Sequence, residues 1–357
     1  MSQLDNASLL TIDKSNMLGS VASLADQVRD AWAATQTLAR PVIQGKIDLV
    51  VVFGMGGSAL GTHVIQAAFR HVLKVPIEVI NDYAVPASVN DRTLVIFSSY
   101  SGDTDETLNV TRLAMQKTKH VAVITAAGIL ADMVEKQGVL GYVIDPKFNP
   151  CKQPRMAIGY SVFGLLGLLE RFGLVDISQT QIDAVRTRVE SVIAECNPAI
   201  PAVKNPAKQL VEKLTGKFIW VFASEHLLGT AHVLSNQLNE NGKCLSTYFA
   251  LPEANHHLME GLVFPASLVK QVVALSFVSK SYHPRNQARY PVTGEVMRQS
   301  GVSWQEVHIP PASLLEECGW MLAFGEFLSV YSALLYGIDP SPIPKVDYFK
   351  EQLAKVK

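Results

Sequence analysis

Two short segments concentrate groups that can hold an oxyanion. Gly54-Met55-Gly56-Gly57-Ser58 sets glycines beside a hydroxyl, and in the second segment Ser98, Ser99, Ser101 and Thr104 surround Gly102. Glycine lets the backbone turn tightly and approach a ligand closely. A helix opening at such a turn presents unpaired N–H groups and the positive end of its dipole. Hydroxyls and N–H groups together can bond the several oxygens of a phosphate monoester without a buried lysine. Gly56, Gly57, Ser58, Ser99, Ser101 and Thr104 are the candidate phosphate-binding residues. Ser and Thr are also ordinary helix caps, so one such loop reads equally well as structure. Two loops on one sheet favour a ligand.

Arg155 follows Pro154 at the start of a helical stretch, where a cation opposes the dipole. A charge set against local preference suggests chemistry, and a guanidinium there could stabilise a developing oxyanion; a surface ion pair is the plainer alternative. The histidines do not read as metal ligands. His256 and His257 are adjacent and diverge, and His226 and His232 are six apart on a helix, facing different sides. No HExxH motif or carboxylate cluster accompanies them.

The elements that must position these groups alternate. Short apolar runs at 47–53, 76–81, 93–98, 120–125 and 142–145 read as strands, with helices over 16–40, 59–72 and 104–117. Helical sequence covers 156–172 and 178–196, and Asn197-Pro198-Ala199-Ile200-Pro201 breaks it. The alternation then restarts with strands at 217–222, 271–277 and 304–308 and helices at 225–239, 285–300, 314–336 and 346–357. Strand–helix alternation predicts right-handed βαβ units. The fold class is α/β, with two doubly wound parallel-sheet domains. The first covers 1–175 and carries both loops, a helical linker region covers 176–205, and the second covers 206–357.

The bulk numbers narrow the function. The 357 residues are 48% hydrophobic and 18% charged, too apolar for disorder. Formal net charge is −1 and no basic block occurs, so no nucleic-acid partner is expected. Four scattered cysteines, Cys151, Cys196, Cys244 and Cys318, suit a reducing compartment. The N-terminus lacks a signal pattern. No uninterrupted apolar run reaches the roughly 18 residues of a membrane span, the longest candidate being Ile158 to Leu169. A cytoplasmic protein without a membrane partner is expected. Gly54 to Ala59 also matches a dinucleotide-binding fingerprint, with Asp82 where a ribose-binding acid would lie. A nicotinamide-dependent dehydrogenase is therefore an alternative, although it does not call for the Ser99 to Thr104 loop.

The loops at 54–58 and 99–107 resemble the paired loops of the sugar isomerase (SIS) domain. Pro154-Arg155, Asn239-Glu240-Asn241-Gly242-Lys243 and Glu253-Ala254-Asn255-His256 follow in order. The set resembles the bifunctional phosphoglucose/phosphomannose isomerase family. That resemblance implies two SIS domains of flavodoxin-like design, a homodimer, no metal and no cofactor. It implies interconversion of glucose 6-phosphate, and of mannose 6-phosphate, with fructose 6-phosphate. Ser58, Ser99, Ser101 and Thr104 would hold the phosphate, Glu240 would be the base, Arg155 would stabilise the intermediate, and His256, supplied by the partner subunit, would open the ring. Lys350 lies in a terminal helix resembling one that carries an active-site lysine. Ser341 stands where the family has a threonine used for mannose 6-phosphate, and His257 where it has asparagine. A carboxylate can carry a proton between neighbouring carbons, and a histidine can move one between ring oxygen and hydroxyl near neutral pH. Another SIS isomerase and a non-catalytic sugar-phosphate sensor are alternatives, and the sensor would not need Glu240 or His256.

Overall fold

The apolar runs beside the glycine-rich turns become the central strands of two parallel sheets. The computed structural model describes residues 2–356. In the first sheet β1 (Leu49–Phe53), β2 (Ile77–Ile80), β3 (Thr93–Ser99), β4 (Val121–Thr125) and β5 (Gly141–Val143) lie in the order β2-β1-β3-β4-β5. In the second, β6 (Phe218–Ala223), β7 (Ser246–Ala250), β8 (Val272–Val278) and β9 (Ser303–His308) lie in the order β7-β6-β8-β9. All pairings are parallel. The order reverses between β1 and β3 and between β6 and β8, and ligands of open α/β sheets bind beyond strand ends at such points.

Alternate residues of the buried central strand serve opposite faces. Val50 and Val52 join the large core, while Val51 and Phe53 join a smaller cluster across the sheet. The large core continues from the first half into the second. The principal helices are α1 (Leu24–Gln36), α2 (Gly57–Ala68), α3 (Asp105–Lys117), α4 (Ile158–Arg171), α5 (Gln179–Cys196), α6 (Leu228–Glu240), α7 (Pro284–Gln299), α8 (Leu314–Leu335) and α9 (Pro344–Leu353). Helices α2 and α6 join the halves. A Cβ on Gly229 would lie 2.2 Å from the His63 carbonyl oxygen, so glycine is needed for their close approach. The His63 and His232 rings meet there at 4.7 Å.

Helix α8 corrects the expectation from run length. It is long and apolar enough to cross a membrane by length and composition, with mean hydropathy 1.4, and 94% of that stretch is buried inside the protein. Glu316, Glu317 and Glu326 interrupt the run in sequence, which hid it. The expected helix over 16–40 is two helices, Met17–Ala22 and α1, separated at Ser23. Helices Gly128–Glu135 and Pro206–Leu214 and strand β7 were not expected. Strand β7 is an edge strand, mostly half-buried, and lacks the continuous apolar signal of β1 or β8.

Candidate active site

The two hydroxyl-bearing loops meet at the first sheet's switch point. Gly56 has φ +48°, a conformation that suits glycine, and turns the chain from β1 into α2. Gly102 has φ +78°, and a Cβ there would lie 1.7 Å from the Ala127 carbonyl oxygen. Hydrogen bonds join the loops: Tyr100 N–H donates to Ser58 Oγ at 3.0 Å, and Ser98 Oγ donates to the Ser58 carbonyl at 2.8 Å. Ser99 Oγ lies 2.7 Å from Thr104 Oγ1 and 3.5 Å from Ser101 Oγ. Thr104 is the N-cap of α3, yet its hydroxyl pairs with Ser99 instead of capping. Gly56, at the N-cap of α2, has no side chain to cap with. Both helices thus keep N–H groups at their amino ends that their N-cap side chains do not satisfy.

Arg155 reaches this loop through its backbone. An added Cβ on Gly57 would sit 3.3 Å from Arg155 Cα, so the glycine lets the segments touch. Arg155 lies in a one-turn helix, Pro154–Met156, ahead of α4, and is 3% exposed. Its Nε donates to Asn241 Oδ1. One terminal nitrogen donates to Gln153 Oε1 at 2.9 Å; the other donates to the carbonyls of Ser341, at 2.6 Å, and Pro340, at 3.3 Å. The surface ion pair considered from sequence is thus excluded. The plane of the guanidinium is fixed, and Nη1 stands 3.7 Å from Glu240 Oε2. Burial lowers the Arg155 pKa, and the Glu240 carboxylate opposes that shift.

Glu240 ends α6 and its side chain is one-third exposed, at 33%. An anion at a helix C-terminus opposes the dipole, as Arg155 does at the other sign. Lys243 offsets it: its Nζ donates to the Glu240 carbonyl at 2.6 Å and to the Pro340 and Pro342 carbonyls at 3.1 and 2.6 Å. Burial and then Arg155 lower the Lys243 pKa. Gln237, one turn before Glu240, donates to the Arg155 carbonyl at 3.0 Å. Behind it lies Glu326, wholly buried, whose pKa burial raises well above the ordinary carboxylate range.

The remaining sequence-derived residues divide. Ser341 is buried at the cluster, where its carbonyl holds Arg155. Lys350 is exposed on α9 and its side chain makes no hydrogen bond or ion pair among the described residues; Asp347, three residues earlier, contributes to the field at Arg155. His256 and His257 end the short helix Ala254–His257 and are exposed. No hydrogen bond or ion pair among the described residues links His256 to Arg155 or Glu240. Asp82 is exposed beyond β2, with its carboxylate accepting from Tyr83 N–H at 2.6 Å. Among the described residues no group of three His, Cys, Asp or Glu side chains could hold a metal. Asn241, Lys243, Gln153 and the 340–342 carbonyls belong to the cluster without having been singled out. Asn241 and Lys243 were visible within the 239–243 motif, whereas backbone carbonyls leave no signal in residue type.

Two parallel sheets, paired hydroxyl loops at a switch point and a fixed arginine–glutamate pair form a site suited to an anionic substrate. Residues 203–353 match the family described as bacterial phospho-glucose isomerase C-terminal SIS domain. The bifunctional phosphoglucose/phosphomannose isomerase of Caldicellulosiruptor bescii is 31% identical over 345 residues, 96% of this chain and 100% of that protein. The one from Aquifex aeolicus is 28% identical, covering 86% of this chain and 90% of its own. This chain belongs to the bifunctional phosphoglucose/phosphomannose isomerase family. Among solved structures, tagatose-6-phosphate ketose/aldose isomerase from Escherichia coli superposes with TM-score 0.62 at 16% identity, covering 96% of this chain and 95% of that one. Glucosamine-6-phosphate deaminase from Thermotoga maritima gives TM-score 0.64 at 17% identity, over 91% and 97%. Both likenesses are of fold.

Proposed function

We propose that this enzyme interconverts glucose 6-phosphate and mannose 6-phosphate with fructose 6-phosphate by ring opening and proton transfer through an enediol. The observation that carries this reading is the Arg155–Glu240 pair, 3.7 Å apart, beside the 54–58 loop. The phosphate sits against Ser58, Ser99, Ser101, Thr104 and the N–H groups of Gly56 and Gly57. That grip leaves the carbon chain extending toward Arg155. Glu240 removes the C2 proton and returns it to C1 on the same face, because a bound carboxylic acid keeps the proton it has taken. Charge then develops on the enediol oxygens, where the Arg155 guanidinium stabilises it; removing one such donor typically costs about 10²–10³ in rate. Family membership favours this chemistry over dinucleotide-dependent hydride transfer and over a non-catalytic sensor.

The enzyme acts as a homodimer in the cytoplasm, with His256 reaching the partner's site to open the sugar ring and Lys350 meeting the substrate near α9. Exposure of His256 supports this, as do Val263, Phe264 and Leu268 exposed just beyond it. Helix α9 buries no residue in the protomer and exposes Tyr348 and Phe349, as an element covered by a second subunit would. The four free cysteines support a reducing compartment. Ser341 lies beside Arg155 and governs the choice between C2 epimers. The test is a coupled assay from fructose 6-phosphate with separate readouts for the two aldoses, in EDTA, with Glu240→Gln alongside. Both products, lost in the variant, support the proposal; glucose 6-phosphate alone removes the mannose activity; no turnover of either sugar refutes it.

A further inference from the structure

The second domain repeats the first domain's loop design, with its pocket already filled. Strand β3 ends in Ser99, followed by Tyr100 and Ser101, and leads into α3. Strand β8 is followed at once by Ser279, Lys280 and Ser281, and leads into α7. The strand registers bring the two Ser-x-Ser pairs into correspondence. Phe97 pairs with Phe53, the last residue of β1, and Ser99 is two residues further on. Ser276 pairs with Phe222, one residue short of the end of β6, and Ser279 is three residues further on. Each turn after the central strand also carries a positive φ, 48° at Gly56, three residues past β1, and 47° at Glu225, two residues past β6. In the first domain the hydroxyls lie against one another at the switch point. In the second they converge on a carboxylate.

That carboxylate is Glu317, near the start of α8 and fully buried. Ser279 Oγ donates to its Oε2 at 2.5 Å and Ser281 Oγ to its Oε1 at 2.8 Å. His226, from the turn after β6, meets Oε2 through Nε2 at 2.8 Å, and Ala312 N–H approaches Oε1 at 3.4 Å. Burial raises the Glu317 pKa, but the bonds from His226, Ser279 and Ser281 outweigh it, and the net shift is downward. Among the described residues His226 Nδ1 is buried without a hydrogen-bond partner, so the ring's polar contact there is with this carboxylate. A carboxylate held by two loop hydroxyls and a ring nitrogen meets the kind of donors that a phosphate's oxygens would need.

We propose that the loop after β8 is a second oxyanion site of the phosphate-loop design, permanently occupied by the chain's own Glu317, so that each chain binds one sugar phosphate. The correspondence rests on reading the 98–104 loop as the substrate's phosphate loop. The experiment titrates full-length wild type, Glu317→Ala and Glu317→Gln with inorganic phosphate, by calorimetry and by thermal midpoint. Glu317→Ala is expected to bind one phosphate more per chain than wild type, and its midpoint to rise with phosphate by more than the wild-type midpoint does. Adding Ser279→Ala and Ser281→Ala to Glu317→Ala removes the extra site. Glu317→Gln fills the space and gains none. Should Glu317→Ala not stay folded in chloride, it is refolded from urea in phosphate, in acetate and in chloride, and recovery only with the oxyanions is expected. Equal phosphate stoichiometry in wild type and a folded Glu317→Ala, or equal refolding yield in all three salts, overturns the proposal. A wild type that binds no phosphate while Glu317→Ala binds one would instead refute the reading of the first loop and leave this one standing.

Discussion

Arg155→Lys separates the charge of this residue from its geometry. The guanidinium is 3% exposed and serves Asn241 Oδ1, Gln153 Oε1 and the carbonyls of Pro340 and Ser341. A lysine ammonium keeps the positive charge but has one nitrogen in place of a planar fork. It cannot serve all four; Lys243 still donates to the Pro340 carbonyl and Gln153 is only partly buried, so Asn241 Oδ1 or the Ser341 carbonyl is the buried acceptor left short of a donor, at about 1–3 kcal/mol. The direct charge attraction to Glu240 at 3.7 Å is largely kept. What is lost is the fixed direction of Nη1 toward the developing enediolate, and kcat/KM should fall about 10²–10³-fold. The fall should be in kcat with KM little changed, because the group acts on charge that appears in the transition state. Urea denaturation should show a loss of roughly 1–3 kcal/mol, and the coupled fructose 6-phosphate assay is read at a temperature where the variant is folded. Ser341→Ala is the control, since its carbonyl still accepts from Arg155 and its glucose 6-phosphate activity should persist. A folded Arg155→Lys with kcat/KM within about threefold of wild type would refute the reasoning, because a misplaced oxyanion stabiliser cannot be that cheap.

Three further outcomes are expected. Mixing inactive Glu240→Gln with inactive His256→Ala subunits should restore about one quarter of wild-type activity, since random dimers carry one intact site in half the assemblies; no recovery after verified subunit exchange would place His256 outside the partner's site. His232 is held neutral, its pKa lowered to about 4 by burial and then by His63. A depressed histidine pKa gives stability that is present above the ordinary value near 6.5 and lost as pH falls toward 4. The urea midpoint should therefore drop over that window and the drop should shrink in His232→Phe; an unchanged pH profile would count against it. Gly102→Ala would put a Cβ 1.7 Å from the Ala127 carbonyl at φ +78°. It should cost about 2 kcal/mol or more and raise KM more than it lowers kcat, which saturation kinetics on the folded variant would test.

Local chemistry made much of this protein legible from sequence. Runs such as Leu49 to Phe53, followed at once by glycines, are unambiguous because a buried parallel strand is apolar on both faces and its turn needs positive φ. Arg155 stood out because it opposed a helix dipole, a property of neighbours in sequence. Elements with weaker local signals escaped. Strand β7 sits at a sheet edge and was missed; helix α8 was read over 314–336, but not that two of its glutamates, Glu317 and Glu326, are buried. Only the tertiary structure decided what surrounds Arg155. Its carbonyl partners lie 185 and 186 residues away, and a carbonyl is common to every residue type. The same holds for the Glu240 carboxylate, which meets Arg155 only in the folded chain. Its side chain is positioned by the end of α6, which Gly229 lets pack against α2. Residue types set which groups could bind an oxyanion or move a proton, because those are properties of side chains. Which of them share one small volume depends on how two sheets are joined, and that is a property of long-range packing.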